Sequence, residues 1–209
     1  MFHYLHEGRD DEITAFGAYI DEDKYPYAWV SYSAVERNYK RDMLKYFDIE
    51  PHRILEMTRA WNCSWSPKNT MSVMFQFAHD ELKKEWNGKA KNGEIDKPLT
   101  GIITAINGNL GFQARAFNGV GFKTIGLKPA KFTYLVENDG SLKYMTRRRI
   151  VEELGLQNTA ELVNNPRYAI NKVPLLPTYE MAILFSKNDE NKFINKPVFK
   201  ILNTNYRNG

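Results

Sequence analysis

RILEMTRAWNCSWSPKNTMSVMFQFAHDELKKEW, residues 53–86, is the stretch whose reading decides the fold. Its first part, 53–61, is rich in residues suited to a strand. Residues 66–70 (SPKNT) form a loop by composition. From residue 71 onward Met71, Met74, Phe75, Ala78 and Leu82 mark one face of a helix expected to end near Trp86-Asn87-Gly88. A strand passing through a loop of small residues into a helix makes an anion site. The first helical N–H groups have no internal acceptor, and the helix dipole adds partial positive charge. Here Ser66, Thr70 and Ser72 offer hydroxyls, and Lys68 offers a charge beside Asn69. That set suits a pyrophosphate. Taken alone, the same residues also suit ordinary helix capping. The GxxxxGKS/T fingerprint of nucleotide-hydrolysing loops is absent.

Working outward, residues 13–20 and 27–33 read as an antiparallel hairpin, and residues 34–47 as a helix carrying Val35, Tyr39, Met43 and Phe47. Residues 87–98 read as an exposed loop, and 99–106 as a short buried strand. A second helix is expected over 109–121, ending at Gly119 or Gly121. Residues 124–135 read as a strand interrupted, or made an edge, by Pro129. Two short helices, 146–155 and 158–165, fill a helical insertion over about 140–178. A last strand follows at about 179–185, then a polar tail. The reading is one domain over 1–209, with a core at about 13–135. Its class is α/β: a mixed, mostly antiparallel central sheet flanked by helices.

The chain has 209 residues, enough to bury a core, and its 43% apolar content is that of a globular protein. No apolar run approaches the roughly 20 residues of a membrane-spanning helix. The single cysteine, Cys63, excludes an internal disulfide framework and fits a reducing cytoplasm. Its bland reading is a small buried residue. His3, His6, His52 and His79 lack metal-ligand spacing, so no metal is expected. A net charge of +4 permits nucleic acid without requiring it.

The span 53–135 resembles the acyl-CoA-binding core of the GNAT acyltransferases. In that family a fourth strand leads into the loop and helix that hold the cofactor pyrophosphate. A fifth strand splays away, and the next helix ends in Gly-Phe, matched here by Gly121-Phe122. Arg59 followed by SPKNTMS (66–72) is similar to the variant loop of phage Mom-type proteins, which modify adenine in DNA. The resemblance implies acetyl-CoA or another acyl-CoA, bound by Arg59, Ser66, Lys68, Asn69, Thr70 and Ser72. It also implies DNA as a partner and a phage-encoded protein in the host cytoplasm. Where the Mom pattern has Asp and Tyr, this chain has Asn107 and Phe117, neither of which performs acid–base chemistry. Glu56, on the fourth strand, is the candidate general base, with Asn107 at the second catalytic position. Strand alternation places Glu56, Thr58 and Ala60 on one face and Leu55, Met57, Arg59 and Trp61 on the other. Arg147, Arg148 and Arg149 open the insertion and are candidate phosphate contacts. Three functions follow: Mom-type modification of adenine, acylation of another amine, or a catalytically silent binding module.

Overall fold

The alternating pattern near the N-terminus is realised as a hairpin of β1 (Glu12–Ala18) and β2 (Ala28–Ala34), paired antiparallel. The computed structural model describes residues 12–20, 25–110, 114–129, 132–138, 140–145, 147–157, 159–165 and 167–201. Helix α1 (Asn38–Tyr46) follows, then β3 (Ile54–Asn62), α2 (Thr70–Lys91), β4 (Gly101–Asn107), α3 (Ala114–Gly119) and β5 (Lys123–Lys128). Residues 132–174 hold β6 (Phe132–Asn138), β7 (Ser141–Met145), α4 (Arg147–Leu154), α5 (Thr159–Asn164) and β8 (Ala169–Pro174). The chain then returns as β9 (Thr178–Leu184), α6 (Lys187–Ile194) and the two-residue β10 (Phe199–Lys200).

Seven strands form the main sheet in the order β1-β2-β3-β4-β9-β5-β10. All pairings are antiparallel except β3 with β4 and β5 with β10. Helix α2 covers one face: Met74, Phe75, Ala78 and Leu82 pack on Val30, Tyr32, Leu55, Met57, Ile102 and Met181. Burying each large side chain of that stripe stabilises the fold by about 1.5–3 kcal/mol. Helix α1 covers the other face, with Met43, Leu44 and Phe47 against Ile54, Ile103, Ile125 and Ala182.

Two helix ends show how the sequence stops its helices. After α3, Gly121 takes φ 98°, Gly121 N–H donates to Asn118 O at 3.1 Å, and Phe122 N–H donates to Phe117 O at 3.1 Å. The Phe117 and Phe122 rings then meet edge to face at 5.5 Å. This is a Schellman stop, with the apolar contact that usually accompanies it. Helix α1 ends the same way around Asp48 (φ 57°), with Ile49 N–H on Leu44 O at 3.0 Å. Lys196 pairs with Asp48 and donates to Tyr46 O, placing a cation at the negative helix end.

Several expectations change. Helix α2 runs past Gly88 to Lys91, supported by the Lys89–Glu85 pair and by Lys89 over the Trp86 ring. The interruption expected at Pro129 is present, but the two halves of 124–135 join different sheets. The insertion is not purely helical: its two helices pack on a three-stranded antiparallel sheet, order β7-β6-β8. Tyr134, Val136, Met145, Ile150 and Leu162 form its own core. Residues 187–200 of the polar tail hold α6 and β10, seating Phe193 and Phe199 on the α1-side core, while its end, 202–209, lies outside the described residues. Among the described residues, no helix is long and apolar enough to cross a membrane.

Candidate active site

The site begins with an extra residue in β3. Leu55, Glu56 and Met57 pair with Ala34, Ser33 and Tyr32, but the next pairs are Arg59 with Ser31, Ala60 with Val30 and Trp61 with Trp29. Thr58 is left over as a β-bulge, with its Oγ1 3.1 Å from Ser31 Oγ. A bulge reverses the in–out alternation beyond it. Ala60 therefore turns to the α2-side core, while Arg59 and Trp61 join Glu56 on the α1 face. The simple alternation expected from sequence holds only up to Met57.

At the same point β3 and β4 part. Their parallel pairing covers only Ile54–Gly101, Leu55–Ile102 and Glu56–Ile103. Beyond it β4 follows β9, from Gly101–Leu184 to Asn107–Thr178. Thr104 Oγ1 donates to Met57 O at 3.1 Å and satisfies the first carbonyl beyond the split. The remaining β3 edge, 58–62, has no β4 partner. Glu56 therefore stands at the apex of a wedge between two strands.

Glu56 does not stand alone. Its Oε1 accepts a 2.7 Å hydrogen bond from Lys40 Nζ, and Lys40 is fully buried. Lys40 Nζ also lies 3.3 Å from Oε2 of the buried Glu180 on β9, an ion pair by distance in which Oε2 receives no well-directed hydrogen bond. Tyr39 OH donates to Glu180 Oε1 at 2.9 Å. Desolvation alone would lower the Lys40 pKa, but the carboxylates of Glu180 and Glu56 outweigh it and hold the ammonium above its ordinary value. Burial, followed by the Glu180 charge, pushes Tyr39 up to about 12. Gly126 makes room for this assembly: a Cβ there would lie 2.3 Å from Met43 Sδ on α1 and 3.0 Å from Glu180 Cβ.

Lys40, Glu180 and Tyr39 surround Glu56, and the sequence reading did not place them in a site. Glu180 had left a signal, since an acid inside the apolar run 179–185 is anomalous unless it is paired. Lys40, beside Tyr39 on an amphipathic helix, reads as a solvated position.

The expected cofactor loop lies at the α2 N-terminus, with its hydroxyls differently engaged. Ser66 Oγ donates to Cys63 O at 2.7 Å and Thr70 Oγ1 to Pro67 O at 2.7 Å. Both protons fasten the loop instead of pointing to a ligand. Asn69 occupies the left-handed region (φ 69°) at the N-cap without a side-chain cap bond. Lys68 and Ser72 are exposed, and the amides of Met71 and Ser72 lie in the first helical turn, where no intrahelical acceptor exists. Arg59 lies on the other face of the sheet from this loop's helix.

Asn107 serves the turn after β4: its Oδ1 accepts from Asn109 N at 3.0 Å and from Asn109 Nδ2 at 2.8 Å. Phe117 is the apolar partner in the α3 stop. Arg149 pairs with Glu153 at 2.6 Å within α4, on the insertion. The side chains of Arg147 and Arg148 lie outside the described residues. Cys63 is half-buried at the end of β3. Among the described residues no group of three or more His, Cys, Asp or Glu could hold a metal ion. His79 is packed, not exposed, among Phe75, Phe122, Phe185 and Tyr32.

The residues present fit an acyl-CoA in outline. The first-turn amides, Lys68 and Ser72 suit its phosphates, and the β3 edge past Glu56, which no strand of the described residues pairs, suits its pantetheine amides. No family model matches the chain, and no curated protein matches it. Among solved structures the chain is similar to one described as a putative phosphinothricin N-acetyltransferase, at 17% identity and TM-score 0.36 over 80% of this chain and 68% of that one.

Proposed function

We propose that this chain is an acyl-CoA-dependent N-acyltransferase. The observation that carries the reading is the parallel β3–β4 pair that parts after Glu56, next to a helix whose first turn presents free amides. When bound, the cofactor supplies an activated thioester carbonyl. Lys68, Ser72 and the amides of Met71 and Ser72 hold its phosphates. Glu56 accepts the proton of the attacking amine, while Lys40 fixes the carboxylate through its Oε1.

Calorimetry with acetyl-CoA tests the binding step, and absence of binding overturns the reading. Glu56→Gln should keep acetyl-CoA affinity and lower acyl transfer by about 10²–10⁴-fold. Unchanged transfer would remove Glu56 from the chemistry.

Adenine in DNA is the narrower acceptor implied by the 66–72 loop. Mass analysis of nucleosides from cells expressing the chain should then reveal an acylated or otherwise enlarged adenine. Unmodified nucleosides from a protein that acylates free amines would leave the broader reading standing. A silent binding module is favoured by one observation, that Asn107 and Phe117 both serve turns. Acetyl-CoA binding without any transfer would select it.

A further inference from the structure

Arg59 contrasts with every other cation buried near the sheet. It is half-buried on the α1 face, and its Nε is buried without a hydrogen-bond partner. Its Nη1 donates only to the neighbouring carbonyl of Thr58, at 2.9 Å. Among the described residues no carboxylate pairs with it. Glu56 is taken by Lys40, and Glu12 on β1 accepts the Ser31 hydroxyl at 2.7 Å instead. An Nε–H withdrawn from water without an acceptor is costly, and the outer nitrogens of the half-exposed guanidinium can meet a carboxylate or phosphate through charge-assisted hydrogen bonds.

The surroundings are specific. Trp61 lies two residues along the same face of β3, and Trp29 stands directly opposite it on β2. Both indoles are half-buried. Opposite Arg59 is Ser31, with the exposed Ala15 beyond it on β1, while the Tyr19 ring covers Gly17 beside Trp29. A charged fork beside two aromatic side chains lies on the wedge's outer strand, three residues past Glu56.

We propose that Arg59, Trp61 and Trp29 form the acceptor subsite, and that the acceptor is an amine bearing an aromatic ring and an acidic group, carboxylate or phosphate. Arg59 binds the oxyanion and the indoles take the ring. This rests on the acyltransferase reading for the word acceptor, but the anion site stands on its own geometry. It also moves Arg59 from the cofactor to the acceptor, because α2 and its N-terminal loop lie across the sheet.

The test uses two matched pairs of probes on the full chain: phenylalanine against phenethylamine, and AMP against adenosine. Binding is read by indole fluorescence and calorimetry. In at least one pair the acidic member should bind about tenfold or more tightly than its partner, and Arg59→Gln should abolish the difference. Which pair responds distinguishes carboxylate from phosphate. Arg59→Lys, which retains the charge but loses the fork, should keep only part of the preference and serves if Arg59→Gln fails to fold. Equal affinities within both pairs, no binding of any probe, or a preference unchanged by the Arg59 variants would overturn the proposal. So would a loss confined to acetyl-CoA affinity in Arg59→Gln, which returns Arg59 to the cofactor phosphates. If wild type shows the preference but does not bind acetyl-CoA, the acyltransferase reading falls and the anion site stands.

Discussion

The two faces of the seven-stranded sheet solve different problems. Under α2 the sheet buries aliphatic and aromatic side chains, and His79 of that helix is surrounded by rings. Under α1 the same strands bury Glu56, Glu180 and Lys40 together. The apolar face gains stability from area alone. The charged face is stable only as a complete set, since each ion depends on the others for compensation. The difference teaches that a β-sheet one residue thick can keep a dry scaffold and a charged site within a single domain.

The largest expected effect comes from breaking the charged set. Lys40→Met leaves two buried carboxylates without their directly paired cation and should cost about 3–5 kcal/mol in chemical denaturation. Adding Glu56→Gln and Glu180→Gln to it should recover much of that loss. A Lys40→Met protein as stable as wild type would mean that the carboxylates reach water.

The apolar face carries the next effect. Burial holds the His79 pKa down at about 4, below its ordinary 6.5, so only the neutral ring is favoured there. The unfolded chain therefore binds the proton more readily than the fold between those values. The stability from His79 is complete above pH 6.5 and is lost as pH falls to about 4, a change of about 3 kcal/mol. His79→Phe should flatten this acid limb in a series of melts, and an unaltered limb would assign it elsewhere. The third effect concerns how closely α1 sits on its face. Gly126→Ala would push a methyl into Met43 and Glu180 and should cost about 1–3 kcal/mol. The smallest lies outside both faces: Arg149→Ala removes an exposed pair with Glu153 and should change stability by no more than about 0.5 kcal/mol.

What the sequence revealed and what it hid follow from the range of the interactions. The α2 stripe and its preceding loop were legible because helical periodicity is local. The α3 stop was legible only as one of two glycines, Gly119 or Gly121, and the family resemblance supplied Gly121-Phe122. The bulge at Thr58 was not legible. Nothing in MTRA distinguishes an extra residue from regular alternation, and the partner that reveals it, Ser31, is far away in the chain. The insertion's strands were missed because β7 exposes most of its residues, among them Leu142 and Tyr144, so it lacks the apolar alternation of a half-buried strand. Glu56 was found as a strand acid, but its lysine was hidden because a buried Lys40 and a surface lysine read alike until the opposing carboxylates are placed.

The position of β9 also bears on how the molecule is made. It lies between β4 and β5, pairing Gly101 with Leu184 and Lys123 with Ala182, although the whole 132–174 unit precedes it in the chain. During synthesis β4 must therefore wait, as a bare hydrophobic edge, until Thr178–Leu184 emerges. Pairings so distant in sequence form slowly, and an open edge invites other chains. The insertion, with a core of its own, can fold first and keep the waiting segment compact. The nascent chain's most vulnerable interval thus falls after β5 and before β9, where a stalled ribosome would leave half a sheet exposed.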